Sequence, residues 1–216
     1  QGLAIVARTA RHVMVYDTGD KHSERFDAGR DIVATALRNA RVSIIDMLVI
    51  SHADSDHAGG RNGLLAEIPT KQKWSGTPDK LESEQYLPCN AGMHWRWDGV
   101  DFRVLYPIEA NSVSREKNDN SCVIQITAGG KKILLTGDIE KQAEAALLDS
   151  RVDLKSDVLI APHHGSKTSS TPAFLRAVNA DTVVVSAGYK NRFHHPAALI
   201  SRRYQEFGMQ QINTAE

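Results

Sequence analysis

The chain has 216 residues, with 26 Lys+Arg balanced by 26 Asp+Glu, and nine histidines. That length suits one sizeable domain or two small ones, with a core large enough to stand without staples. A composition of 41% hydrophobic and 24% charged residues excludes collagen-like, low-complexity and largely disordered classes, and the balanced charge excludes a strongly basic nucleic-acid coat while allowing a local basic groove.

No apolar stretch reaches the ~18–20 residues that a bilayer span requires, and the opening residues do not read as a signal peptide. The chain opens on Gln1, directly in a strand-like run, and reads as an excised piece of a longer product. Cys89 and Cys122 make no disulfide scaffold. They are free, or form one bridge in an oxidising compartment. No Cys-x-x-Cys is available for a thiolate zinc knuckle.

Leu3–Arg8 and Val13–Tyr16 read as strands, and Asp17-Thr18-Gly19-Asp20 as the turn ending the second. The spacing of Ile32, Val33, Ala36, Leu37 and Ala40 predicts a helix over Asp31–Arg41. Asp46–Ser51 is a short buried-type strand, His52–Asn62 a polar Gly-rich loop, and Gly63–Ile68 a short helix stopped by Pro69. Asp98-Gly99 joins strands Met93–Trp97 and Val100–Tyr106, and Gly129-Gly130 joins Cys122–Thr127 and Lys132–Thr136. The stretch 107–120 is a loop or insertion. Helices follow over Ile139–Leu148, Pro172–Val178 and Pro196–Phe207, the last with proline in its first turn. Strands are expected at Asp157–Ala161 and Thr182–Ser186. Asp46–His52 and Asp157–His163 share one pattern: an acid, an apolar strand, a histidine. This suggests two related halves packed sheet to sheet, with helices outside and sites at matching strand ends.

The strongest chemical signal is His52-Ala53-Asp54-Ser55-Asp56-His57-Ala58-Gly59-Gly60. Imidazole and carboxylate suit zinc, manganese or iron. His52 and Asp54 share a side if the backbone is extended. Asp56 and His57 turn to a second point once the chain curls into a helix, with the two glycines allowing a sharp turn behind them. One loop can thus feed two adjacent metals. A solvated acidic turn is the bland alternative, and it explains a lone Asp or His better than it explains the whole string.

This H-x-D-x-D-H string resembles the signature of the metallo-β-lactamase superfamily. Tyr16-Asp17-Thr18-Gly19 resembles its first motif, and Thr136-Gly137-Asp138 the motif whose aspartate bridges two metals. Pro162-His163-His164-Gly165-Ser166, Asn191 and His195-Pro196, with the opening Gln1-Gly2 and closing Asn213-Thr214-Ala215-Glu216, are similar to the metallo-β-lactamase-like domains of the ComEC family, the DNA-uptake channel proteins of natural transformation.

The resemblance implies an α+β fold: an αββα sandwich of two mixed β-sheets with helices on the outer faces. It implies one domain over 1–216, cut from a polytopic inner-membrane protein and facing the periplasmic or extracellular side. His52 and Asp54 would hold a first metal, Asp56 and His57 a second, and Asp138 would bridge. The late ligand falls in His163-His164, with His164 preferred and His163 supporting it, or the reverse. Asp17 would orient a histidine through its other ring nitrogen, or simply cap its turn. The histidine that dinuclear members carry before the bridging aspartate is absent from Asn118-Asp119-Asn120-Ser121. The first centre is therefore left with His52, Asp54 and Asp138, one firm and one weak position are expected, and Mn²⁺ is favoured over Zn²⁺.

The implied activity is metal-dependent phosphodiester hydrolysis of DNA, single-stranded by preference, degrading the strand that is not taken up. The metal would lower the pKa of water and polarise a phosphoryl oxygen. Asp56 or Asp138 would orient the nucleophile, and His163 or His195 would protonate the leaving oxygen. Ser166, Lys167, Asn191 and Asn120 would contact phosphate. Lys190, Arg192, Arg61, Arg115 and Lys117 sit in loops near motif ends, where solvated surface charge is the commoner role. Trp74, Trp95 and Trp97 can stack bases, although strand tryptophans more often pack. Partners are DNA and the channel portion of the same polypeptide, with the isolated domain monomeric. The rivals are a hydrolase of a small phosphoester or lactone, and a non-catalytic module that binds DNA or braces the channel.

Overall fold

A computed structural model describes residues 2–23, 25–81, 85–108 and 118–215. Gln1, Arg115, Lys117, Glu216 and most of the expected 107–120 insertion lie outside the described residues. The chain divides into two units, Gln1–Pro88 and Cys89–Glu216.

In the first unit, strands β1 (Ile5–Arg8), β2 (Val13–Tyr16), β3 (Ile45–Ile50), β4 (Thr70–Ser75) and β5 (Leu87–Pro88) form one sheet in chain order. Only β1 and β2 pair antiparallel. Central β3 has parallel neighbours on both sides, which is why its Met47–Ile50 stretch reads as an unbroken apolar run. Val13, Val15, Leu48 and Ile50 pack with Leu37 of α1 (Thr35–Asn39) and Leu64 of α3 (Arg61–Glu67). The helix expected over Asp31–Arg41 starts earlier, as a π-helical stretch at Gly29–Ala34 that leads into α1. A helical turn, α2 (Ser55–Ala58), lies inside the expected loop. Polar β4 was not foreseen: Thr70–Ser75 lacks an apolar pattern and becomes a strand by pairing with β3.

The second unit carries β6 (His94–Trp97), β7 (Val100–Tyr106), β8 (Val123–Ala128), β9 (Lys131–Leu135), β10 (Val158–Ile160), β11 (Thr182–Val185) and β12 (Gln210–Asn213). The sheet order is β12-β11-β10-β9-β8-β7-β6. Pairing is antiparallel from β6 to β9 and parallel from β9 to β12. Both expected hairpins are present. Asp98-Gly99 (φ 50° and 86°) and Gly129-Gly130 (φ 56° and 78°) supply the left-handed pairs that two-residue turns need to match strand twist.

Helices α4 (Lys141–Asp149), α5 (Pro172–Val178) and α6 (Ala198–Glu206) join Leu134, Leu159 and Val183 in one apolar cluster through Leu147, Phe174 and Tyr204. Thr171 caps α5 by accepting the Phe174 N–H, with proline at the first helical position. The last helix departs from expectation. It begins at Ala198, and Pro196 precedes it, joined to His195 by a cis peptide bond. Cys89 and Cys122 form a disulfide, with Cα atoms 5.8 Å apart. Among the described residues, no helix is long and apolar enough to cross a membrane.

Candidate metal centre

In the first unit the candidate ligands follow β3 directly. His52 is buried at the strand end, Asp54 is the N-cap of α2, and Asp56 and His57 lie on α2. His52 Nε2 is 3.7 Å from Asp54 Oδ2. That exceeds a hydrogen bond but fits a shared ion: two donors each ~2.1 Å from a tetrahedral metal lie ~3.4 Å apart.

Asp17, fully buried at the end of neighbouring β2, organises this loop. Its Oδ1 accepts the Ser51 N–H at 2.6 Å, and its Oδ2 accepts the Ser51 hydroxyl at 2.8 Å. His57 Nδ1 lies 2.7 Å from the same Oδ2. An ionised carboxylate only accepts, so Nδ1 carries the proton and His57 Nε2 keeps its lone pair for a metal. Thr18 adds backbone and hydroxyl hydrogen bonds to the His57 carbonyl. The glycines serve a purpose other than the expected sharp turn. Gly59 and Gly60 have ordinary helical φ of −60° and −80°. What requires glycine is close approach, because a Cβ on Gly60 or on Gly29 would collide with the other's backbone.

In the second unit, Asp138 follows β9, and its N–H donates to Ser121 Oγ. His163 and His164 follow β10, both in the left-handed region (φ 47° and 53°). This shared twist divides the carboxylate between them: His163 Nε2 lies 3.6 Å from Asp138 Oδ2, and His164 Nε2 3.6 Å from Asp138 Oδ1. The far ring nitrogens separate the two histidines. His164, 3% exposed, donates Nδ1–H to the Ser186 carbonyl at 2.6 Å, which frees Nε2 as a ligand atom. His163 instead turns Nδ1 to Glu140 Oε1 at 3.0 Å, which also accepts the Thr168 hydroxyl at 2.8 Å. Buried Glu144 fixes the following backbone by accepting the Ser170 and Thr171 N–H groups, and burial pushes its carboxyl above the usual value.

The outer candidates divide by what already holds them. The Asn191 amide donates to the Gly188 and His195 carbonyls and accepts the His195 N–H. It therefore braces its loop and ties it to the His195 backbone. The His195 ring lies 5.9 Å from His163. Ser166 bonds Thr168, and Lys167 is exposed beside it. Asn120 is buried in a short 3₁₀ turn, Asn118–Asn120. Trp95 stacks on Phe102 at 5.0 Å and Trp97 meets Phe102 edge-on at 5.3 Å, as packing residues do. Trp74 is half-buried in β4, and Arg61 bonds the Ala58 carbonyl. Sequence reading missed Ser51, Ser186 and Glu140. Ser51 stands beside the motif and was open to inspection, whereas Ser186 acts only through its carbonyl, which no sequence pattern marks.

These clusters and sheets define the class. The profile of the metallo-beta-lactamase superfamily matches residues 1–189. The chain belongs to that superfamily, and it has a metallo-hydrolase fold with a His/Asp cluster able to bind a metal. Among solved structures it is similar to Igni18, a metallo hydrolase from the archaeon Ignicoccus hospitalis. The TM-score is 0.61 at 14% identity, covering 98% of this chain and 91% of that one.

More particularly, it is similar to two curated bacterial proteins. One is competence protein ComA of Neisseria gonorrhoeae, 36% identical over 99% of this chain and 30% of that protein. The other is recombination protein 2 of Haemophilus influenzae, 33% identical over 100% of this chain and 26% of that protein. The chain thus spans less than a third of the length of these relatives.

Proposed function

We propose that the chain is a metal-dependent deoxyribonuclease, the module of a DNA-uptake channel that hydrolyses the strand not transported. The observation that carries the reading is the tautomer control: His57 and His164 each have Nδ1 engaged by a fixed acceptor, leaving Nε2 for a metal. Its place in DNA uptake is supported by similarity, over nearly the whole chain, to a competence protein.

In this reading Asp56, His57, Asp138 and His164 would hold the firm metal position. His52, Asp54 and Asp138 would hold the weaker one, for which Mn²⁺ is favoured. When bound, a divalent ion supplies Lewis acidity and a nucleophile at neutral pH. Asp56 orients the attacking water and accepts its proton. His163, aimed by Glu140 and Thr168, donates a proton to the leaving oxygen, and His195 stands next to it. Ser166, Lys167 and Asn120 hold the phosphate. Zero net charge suits such a module, because a tether to a channel raises effective substrate concentration and little long-range attraction is needed. The domain is one part of a longer inner-membrane protein and works on the outer side.

The test is incubation with single- and double-stranded DNA across Mn²⁺, Mg²⁺ and Zn²⁺, beside Asp56→Ala. Cleavage is expected with Mn²⁺ and is expected to fall at least a hundredfold in the variant, the order lost with a general base. Equal cleavage by Asp56→Ala removes the mechanism. Turnover of bis(p-nitrophenyl) phosphate without DNA cleavage makes this a small-phosphoester hydrolase instead.

A further inference from the structure

The loop between β11 and α6 runs Gly188-Tyr189-Lys190-Asn191-Arg192-Phe193-His194-His195. It leaves two large rings in water: Tyr189 is 75% exposed and Phe193 52%. Each carries the cation of a chain neighbour. Lys190 Nζ lies 5.2 Å from the Tyr189 ring centroid, and Arg192 Cζ lies 4.6 Å from that of Phe193. Both cations are themselves exposed.

The loop is built to hold this arrangement. The three side-chain hydrogen bonds of Asn191 close it, and two backbone bonds, Asn191 to Gly188 and His194 to Asn191, tighten it. The rings are therefore presented by a braced turn. Their position is also informative. Phe193 stacks on His195 at 5.7 Å, His195 lies 5.9 Å from His163, and His163 reaches Asp138 at 3.6 Å. A row of rings leads from the exposed loop to the second unit's metal-ligand cluster. An open cavity of about 400 Å³, lined by Tyr189, Lys190, His194 and Asn213, adjoins the loop.

We propose that the 188–195 loop is a base-stacking platform that seats single-stranded DNA next to the metal centre. Aromatic faces take bases, and the paired cations take the phosphates between them. A duplex buries its base faces against one another, so the platform selects unpaired strands. The identity of the substrate rests on the nuclease reading above.

The test is fluorescence anisotropy of a labelled oligothymidine with the 216-residue chain in EDTA, where binding is read without cleavage. Tyr189→Ala and Phe193→Ala each weaken binding by about tenfold, the scale of one lost stacked base. Tyr189→Phe and Phe193→Trp stay within twofold of the parent. Tyr189→Leu, which keeps bulk but has no π face and guards against a merely unfolded alanine variant, loses as much as alanine. An oligonucleotide with abasic sites binds the parent at least as weakly as the normal one binds Tyr189→Ala, and only the double variant Tyr189→Ala with Phe193→Ala no longer distinguishes the two. Alanine variants within twofold of the parent overturn the platform, as does full rescue by leucine. So does a loss confined to binding of anionic phospholipid vesicles. If stacking is confirmed but no metal supports DNA cleavage, the nuclease reading fails and the platform stands. If DNA is cleaved and the variants bind normally, only the platform fails.

Discussion

Asp17→Asn is the sharpest probe of how the site is set. The change is nearly isosteric, and the carboxylate is fully buried. Its Oδ1 can remain an acceptor for the Ser51 N–H, so the backbone contact at 2.6 Å survives. The other oxygen becomes an NH₂ group, facing His57 Nδ1 at 2.7 Å and the Ser51 hydroxyl at 2.8 Å. Two donors cannot share that contact, so His57 must move its proton to Nε2. The nitrogen that should bind a metal then carries a hydrogen. Loss of such an orienting carboxylate typically weakens metal binding by ~10–100-fold, or ~1.4–2.7 kcal/mol at 1.36 kcal/mol per decade. Competition against a chelating dye reads the affinity, and ¹⁵N NMR of the imidazole ring reads the tautomer. Affinity within twofold of the parent, with Nδ1 still protonated, would refute the reasoning. Asp17→Ala is a poorer probe, since it strands buried donors and loses stability for unrelated reasons.

Three further outcomes are expected. The disulfide spans a sequence separation of 33, so Cys89→Ser with Cys122→Ser should lower the unfolding free energy by ~3–4 kcal/mol on a loop-entropy basis, read by urea titration; a loss under 1 kcal/mol would contradict it. Burial raises the Glu144 carboxyl from its ordinary 4.5, so the fold retains that proton to higher pH than the unfolded chain does. The resulting stability is full below 4.5 and is lost as pH rises through the folded value. The stability difference between the parent and Glu144→Gln, from denaturant titrations at several pH values, should therefore shrink as pH rises; a flat difference is the adverse result. Elemental analysis after dialysis should find one tightly held and one readily lost ion, and two equally tight zincs would sink the unequal-site proposal.

The distribution of what could be read from sequence follows from where the information sits. The strand β3 and the candidate ligand string after it were readable because apolar run and donor cluster are contiguous. β4 and β12 were not, because Thr70–Ser75 and Gln210–Asn213 are polar and are made strands by parallel partners distant in sequence. Glu140 and Ser186 were missed for the same reason: their meaning depends on what the fold brings to them. Gly59-Gly60 was noticed but misread, since the chemistry of a glycine pair does not say whether φ or proximity is the constraint.

The short likeness between Asp46–His52 and Asp157–His163 has a physical explanation that needs no repeat of sequence. Asp46 Oδ2 accepts the Val13 N–H at the start of β2, and its Oδ1 accepts Lys71 Nζ. Asp157 does the same in the other unit, accepting the Lys132 N–H of β9 and Lys131 Nζ. Each acid ties the beginning of a buried strand to its parallel neighbour. Parallel strands then end together, and their carboxyl ends deliver the chemistry: Asp17 after β2 beside His52 after β3, and Asp138 after β9 beside His163 and His164 after β10, with the Ser186 carbonyl after β11. A register slip of one residue at either acid would turn the whole strand over and withdraw its histidine. Asp46→Ala and Asp157→Ala lie a strand's length from the ligands, yet each should loosen metal binding as well as stability. If either variant lost stability alone, with metal affinity unchanged by chelator competition, the acids would be simple surface clamps and the coupling of strand start to ligand end would be wrong.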